Sequence, residues 1–246
     1  MTATSPVWAT LNQSGGPHLD SLKHDYVPEG LLDMMPGTPR VVLDVGCFCG
    51  AVGAKLKAKY PEVRVVGVEP LVDAAKLAGQ KLDQVLTGKL EEINLEDAGI
   101  TPGSVDTIIL ADVLEHMYDP WQALVSLRPT LASGGVILAS IPNVRNLTVI
   151  NDLVQGDFPY APAGILDITH IRFFTWQGVQ RLFAETGYRI EHANFNIDPR
   201  CQFLLDGLKQ SQPANIDIPA MLIRNMNHLQ LRELATLQFW VRAVPA

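Results

Sequence analysis

The stretch VVLDVGCFCG at positions 41–50 constrains the fold of this chain more than any other. Val41, Val42 and Leu43 run into Asp44. Gly46 and Gly50 then bracket a Cys-Phe-Cys turn, and AVGAKLKAKY follows with helical composition. A short β-branched run closed by a turn suits a strand buried on both faces, as in a parallel sheet. Glycine allows positive φ in the turn and close approach of a ligand to the backbone. The first N–H groups of the following helix are unpaired and favour an anion, such as a carboxylate or a phosphate. The stretch is therefore a candidate small-molecule cradle; the alternative is a plain strand-to-helix turn.

The same unit recurs downstream. VRVVGVE predicts a second strand over 63–69, ending in Glu69. A helical segment over 71–83 places Ala74, Ala75 and Leu77 inward. Third and fourth strands are predicted at 84–87 and 105–111. A helix starts at the Asp119 cap with Pro120 just inside it, and Ser133-Gly134-Gly135 should end it. VILAS is a fifth strand, closed by Pro142. Strands alternating with helices predict an α/β, Rossmann-like sheet, mostly parallel, with helices on both faces.

The second half differs. Residues 143–171 are mixed, with a loop around Pro159 and Pro162. Thr175 caps a helix that Gly187 ends, and YRIEHANFNI reads as a strand. Residues 199–232 are expected to form a helical or irregular insertion before a last, antiparallel strand, TLQFWVRAV. The expected organisation is an N-terminal extension at 1–26 and one domain at 27–246.

Composition narrows the partners. With 19 Lys plus Arg against 26 Asp plus Glu, the net charge is −7, and no basic cluster marks a nucleic-acid surface. No apolar run suits a membrane span, and the N-terminus lacks the pattern of a signal peptide. Three cysteines are too few for a disulfide framework and show no metal-ligand spacing, so no metal is expected. A reducing cytoplasm is the expected compartment.

Ligands of open parallel sheets sit at the carboxyl ends of the strands. There this sequence places Asp44, Glu69, Glu91, Asp112, Glu115, His116, Ser140 and Asn143. Several acids converge, and no Lys or Arg occupies the first turn. A cationic ligand bearing hydroxyls matches that field better than a pyrophosphate does. Glu69, at the tip of the second strand, can accept two hydrogen bonds from a ribose diol.

D-V-G-C-F-C-G, then V-E-P, A-D-V-L-E-H, S-G-G and S-I-P-N together resemble the class I S-adenosylmethionine-dependent methyltransferases. The later D-I-T-H-I-R-F-F-T is similar to a subgroup associated with sugar and polysaccharide biosynthesis. The resemblance covers roughly residues 26–193 and implies a seven-stranded sheet with antiparallel pairing at its end. It implies that Asp44, Gly46, Cys47 and Gly50 line the methionine part of the cofactor and that Glu69 holds the ribose. Asp112, Val113 and Leu114 would border the methyl group. Tyr26, Phe48, Pro70, Leu90 and Glu91 complete the expected cofactor set. Two positions depart from the family pattern. Phe48 stands where a third glycine is usual. Lys89, which cannot accept a hydrogen bond, stands where an Asp often reads adenine, so that backbone groups or Glu91 take that part.

Methyl transfer to a hydroxyl needs alignment of the acceptor and a base for its proton. Histidine is the natural base near neutral pH. His18, His24, His192 and His228 lie away from the strand ends, which leaves His116 and His170 as catalytic candidates. Asn143, Asp167 and Arg172 are the candidate contacts to a small-molecule acceptor, expected to be a sugar or glycan precursor. Two other readings stay open. One is an NAD-dependent oxidoreductase, which would ask for G-x-G-x-x-G where this chain has glycines four apart. The other is a non-catalytic module that binds the cofactor weakly or not at all.

Overall fold

Along β1 (Val41–Val45), successive side chains enter different cores: Val42 packs on one side of the sheet, Leu43 and Val45 on the other. The same split recurs in β4 (Val105–Ala111), where Ile109 faces one layer while Ile108 and Leu110 face the opposite one. Strands covered on both faces are apolar at most positions, which is why these runs lack an apolar–polar alternation. The computed structural model describes residues 26–206, 214–218 and 221–246. The extension expected at 1–26, apart from Tyr26, and with it His18 and His24, lies outside the described residues.

One helical layer holds α1 (Glu29–Leu32), α2 (Ala51–Lys59) and α3 (Val72–Ala78); the other holds α4 (Pro120–Leu127) and α6 (Trp176–Glu185). Between them lie β2 (Arg64–Glu69), β3 (Gln84–Thr87), β5 (Leu131–Pro142), β6 (Tyr188–Ile197) and β9 (Thr236–Pro245) with β1 and β4. The seven strands run in the order β3-β2-β1-β4-β5-β9-β6. β1 to β5 pair in parallel, and β9 is antiparallel to both β5 and β6. The Rossmann-like sheet expected from the sequence is thus present, with its one reversed strand inserted beside the edge. Thr175 caps α6 through the Gly178 N–H at 3.2 Å, and Asp119 caps α4 through the Gln122 N–H at 2.9 Å.

Three local expectations change. Leu77 is 37% exposed while Ala78 is fully buried, because the seven-residue α3 turns positions 74, 75 and 78 toward the sheet. Ser133-Gly134-Gly135 does not end α4: the helix closes at Leu127, a 3-10 turn at Arg128–Thr130 follows, and β5 already begins at Leu131. A register shift against β4 and a positive φ of 78° at Gly134 let the strand run through that turn.

The third change concerns the insertion. Pro199–Leu204 forms a 3-10 helix, and α7 (His228–Ala235) is helical, as expected. Between them β7 (Ala214–Ile218) and β8 (Met221–Met226) pair as a two-stranded antiparallel sheet instead of continuing helix. Ile216 is buried between exposed neighbours Asn215 and Asp217, a period-two pattern too short to stand out in sequence. With α5 (Leu147–Val154), the insertion builds a separate small core of Leu147, Cys201, Leu204, Ile216, Met226, Leu231 and Leu234.

Asn143 fastens this insertion to the main sheet. It is fully buried, and its amide nitrogen donates to the carbonyls of Glu233 at 2.7 Å and Thr236 at 2.9 Å. Its side-chain oxygen accepts the Arg145 N–H at 3.0 Å. Asn143→Ala removes these three bonds, although the Glu233 and Thr236 carbonyls keep the Thr236 N–H and the Asn146 amide as donors, so it should lower stability by about 1–3 kcal/mol. Urea unfolding measures the loss; an unchanged midpoint would remove Asn143 from this role.

Candidate functional site

The cradle forms where β1 gives way to its turn. Gly46 adopts φ 71°, and a Cβ there would come within 2.6 Å of Val113 Cγ2, so two independent constraints demand glycine. The N–H groups of Gly46 and Cys47 donate to the Val68 carbonyl at 2.7 and 3.1 Å, locking the turn onto β2. Gly50 takes φ 76° and starts α2. Phe48 also has positive φ, 45°, an uncommon conformation for a bulky residue that costs about 1 kcal/mol or more.

The Phe48 N–H explains part of that geometry: it donates to Glu69 Oε2 at 2.9 Å. Glu69 Oε1 accepts the Leu71 N–H at 2.8 Å. Each carboxylate oxygen therefore holds one backbone donor and keeps a second lone pair for a ligand hydroxyl. Burial raises the Glu69 pKa above the ordinary carboxylate value, while the two backbone bonds pull it down.

Asp44 sits on the neighbouring strand, 2% exposed, with Oδ2 buried and unpartnered. Burial first, and then the Glu69 charge, push its pKa up to about 7. Asp112, at φ 55°, is better satisfied. Its Oδ1 accepts from Ser140 Oγ and from Gln238 Nε2, both at 2.8 Å, and its N–H donates to Ser140 Oγ at 3.0 Å. Burial still raises its pKa. Tyr26 is half-exposed, and burial together with the Asp112 charge raises its phenol pKa, which places it beside the same acids.

Other expected cofactor residues divide. Cys47 is buried, and burial pushes its thiol up in pKa. Val113 is nearly buried against Gly46. Leu114 is wholly buried in the core under β4, so its side chain packs there and only its backbone can border a ligand. Leu90 is buried while Pro70, Lys89 and Glu91 are exposed around it.

A second cluster lies past the end of β4. Glu115 is 1% exposed, and neither of its carboxylate oxygens has a hydrogen-bond partner. Burial raises its pKa well above the usual range, with Asp112 and then Asp167 adding to the effect. His170 Nε2 lies 3.9 Å from Glu115 Oε1, and the His116 and His170 rings meet edge-on at 4.6 Å between centroids. Desolvation holds both imidazoles below their usual pKa, and for His116 the neighbouring His170 adds to it. The two histidines singled out in the sequence thus meet, although they come from separate segments.

The expected acceptor contacts fare differently. Asn143 is closed in the interior with its amide engaged, so it does not reach an acceptor; it follows β5 where the insertion covers it. Asp167 accepts from the Thr169 hydroxyl at 2.6 Å and from the Thr169 N–H at 2.8 Å. Arg172 donates to the carbonyls of Ile171 and Tyr118 and lies over the Tyr118 ring at 5.1 Å. Both therefore shape the segment, and the Ile171 and Arg172 N–H groups tie it to the Glu115 carbonyl at 2.9 and 3.0 Å. Gln238 was not visible in the sequence; it reaches Asp112 only because β9 inserts beside β5. Glu115 stood among the strand-end acids, but its burial against two histidines depends on the later segment.

An open α/β sheet with a glycine turn, an acid at each of two adjacent strand tips and a reversed strand near the edge has the fold of the class I S-adenosylmethionine-dependent methyltransferases. Residues 43–137 match the family described as a methyltransferase domain, and the cofactor of that fold is S-adenosylmethionine. Over 214 residues the chain is 26% identical to a ubiquinone biosynthesis O-methyltransferase of Sodalis glossinidius, covering 83% of this chain and 79% of that one. It is 30% identical over 119 residues to an uncharacterized 37.1 kDa protein in transposon Tn4556 of Streptomyces fradiae, covering 48% of this chain but 34% of that protein's length. A crystal structure from Thermotoga maritima, described as a SAM-dependent methyltransferase and possible histamine N-methyltransferase, superposes with a TM-score of 0.57 at 15% identity. That match covers 88% of this chain and 86% of the other.

The residues fit that cofactor. The unpartnered Asp44 oxygen suits an ammonium group, Glu69 suits a diol, and the crowd of acids suits a sulfonium. The raised Asp44 pKa carries a stability consequence. Folded protein keeps this proton up to about 7, whereas the ordinary value is 3.8. Between those values the folded state binds one more proton than the unfolded state, so ligand-free stability falls as pH rises and levels off above them. Asp44→Asn should therefore melt higher than the parent above neutral pH, with the gap closing toward the ordinary aspartate range. Thermal unfolding across pH checks this; a pH-independent gap would contradict it.

Proposed function

We propose that this chain transfers a methyl group from S-adenosylmethionine to a hydroxyl of a small acceptor, a sugar or glycan precursor. The observation that carries the reading is the Asp44 oxygen left buried without a partner beside the Glu69 carboxylate. A buried acceptor atom with no donor is costly unless a ligand supplies one. S-adenosylmethionine, when bound, supplies an electrophilic methyl on a sulfonium. Asp44 would hold its ammonium and Glu69 its ribose diol, while the backbone of Asp112 and Val113 would border the methyl. Phe48, in this reading, is tolerated and turns its ring away from the cofactor.

On the acceptor side, Nδ1 of His170 faces the Ile165 carbonyl at 2.9 Å, which places the ring proton there and leaves Nε2 with a free lone pair. With both imidazole pKa values lowered, the pair is neutral near pH 7 and able to take the acceptor's proton. The exposed His116 is the member an acceptor meets first; His170 braces it. The rim is apolar: Tyr118, Tyr160, Ile171 and Phe173 are all exposed around it. Phe158 stacks edge-on with Tyr160 and Phe173, at 5.4 and 5.6 Å. Such a rim suits the apolar face of a sugar ring. It suits a phenol with an apolar tail equally, a second reading favoured by the O-methyltransferase similarity.

Calorimetry should find S-adenosylmethionine and its demethylated product bound and NAD not bound; binding of NAD alone would sink the proposal. Glu69→Gln should weaken cofactor binding by about tenfold or more, because charged acceptors make the stronger hydrogen bonds. His116→Ala and His170→Ala should lower turnover by about 10²–10⁴ with cofactor affinity kept. Mass spectrometry with labelled cofactor and a panel of sugars, nucleotide-sugars and phenols identifies the acceptor. Full turnover in both histidine variants would remove the base assignment.

A further inference from the structure

We propose that Glu115, His116 and His170 form a binding site for one divalent cation of intermediate softness, such as Zn²⁺ or Co²⁺, at the acceptor mouth. The sequence carries no metal-ligand spacing, because the donors come from two distant segments that the fold brings together. One ligand atom from each of the three lies within 4.8 Å of the others.

Two independent features point to a ligand there. The first is Glu115, 1% exposed with both carboxylate oxygens unpartnered. Buried carboxylates are otherwise paired, hydrogen-bonded or metal-bound. The second is the way the rings are held. His170 Nδ1 lies 2.9 Å from the Ile165 carbonyl. His116 Nδ1 lies 3.3 Å from the Thr169 carbonyl and 3.1 Å from the Thr169 hydroxyl oxygen. That hydroxyl donates to Asp167, so its oxygen is an acceptor toward the ring. Both imidazoles therefore carry their proton on Nδ1 and a lone pair on Nε2. This is how metal-ligating histidines are oriented, with the outer N–H on a carbonyl or carboxylate. Nε2 of His170 already lies 3.9 Å from Glu115 Oε1.

Two imidazoles and one carboxylate match Zn²⁺-type ions, whereas Mg²⁺ and Ca²⁺ ask for an all-oxygen shell. A cation at about 2.1 Å from each donor draws the three together. His116 lies on the exposed side, and that side leaves a coordination position open. The site stands without the methyl-transfer reading; only its role rests on it. In that role the cation holds the acceptor's hydroxyl oxygen and lowers its pKa. The proton leaves to solvent, the O–CH₃ bond forms, and the S–CH₃ bond breaks with its electron pair going to sulfur. The imidazoles then serve as ligands and the cation takes over activation of the hydroxyl.

The test uses the full chain, stripped with a chelator, dialysed, and titrated with Zn²⁺ and with Co²⁺ in the absence of S-adenosylmethionine. One equivalent should bind, and Co²⁺ should give the visible absorption of a four- or five-coordinate site. Glu115→Gln and His116→Ala should each weaken binding by about tenfold or more. His116 is exposed, so its replacement tests the site without opening the core. His192→Ala, on the exposed part of β6, should change nothing. No binding, or binding undiminished in both ligand variants, overturns the site; the latter outcome places the metal on other groups such as the cysteines. Cofactor affinity measured on the same samples separates the two proposals. Cofactor bound without metal removes the cation site alone, and metal bound without cofactor removes the methyl-transfer reading alone.

Discussion

Carboxylates buried at the ends of strands that are covered on both faces are the constraint on which the rest of this structure depends. A parallel sheet brings all of its strand ends of one sense to one edge, and here four of the ends or the turns after them carry acids. Water is largely excluded, so each carboxylate needs donors from the protein, a proton or a ligand. Glu69 has two backbone N–H groups, one of them reached through the unusual backbone of Phe48. Asp112 has Ser140 and Gln238. Asp44 and Glu115 keep oxygens without partners. Among the buried acids of the described residues, these two are the ones whose hydrogen bonding within the protein is incomplete, and they correspond to the proposed cofactor seat and the proposed cation site.

The second half of the chain finishes the site by covering the edge. The Glu115 carbonyl accepts the Ile171 and Arg172 N–H groups, and Arg172 reaches the Tyr118 carbonyl in return. That reciprocal tie holds His170 against His116 and sets the aromatic rim around them. The insertion closes the far side through Asn143, Asn146 and Asp198, which link β5, α5 and the 3-10 segment over the separate small core. The acceptor side is thus built from long-range backbone bonds, while the cofactor side is built within one strand–turn–helix unit and its neighbour.

That difference explains what could be read in advance. Val41–Val45, Gly46, Gly50 and Glu69 lie within a short span whose local chemistry admits few conformations, and their arrangement agrees with the turn and strands expected. The reversed strand and the capped helices at Asp119 and Thr175 were likewise legible. The β7–β8 pair was not, because five- and six-residue strands show too few alternations, and neither was the passage of β5 through Gly134, which depends on its register with β4. Asn143 looked like a contact to an acceptor from its place after a strand; the insertion that buries it lies ninety positions away, at Glu233 and Thr236.

By itself the sequence determined the alternation of strands and helices, the glycine turn and the identity of the acids at the strand ends. These follow from apolar periodicity and from backbone conformations that only certain residues adopt. The tertiary structure alone decided which of those acids would be satisfied, that Gln238 would reach Asp112, and that Glu115, His116 and His170 would share one corner. Such pairings join residues far apart in the chain, and only the packing of the second half onto the sheet brings them within bonding distance.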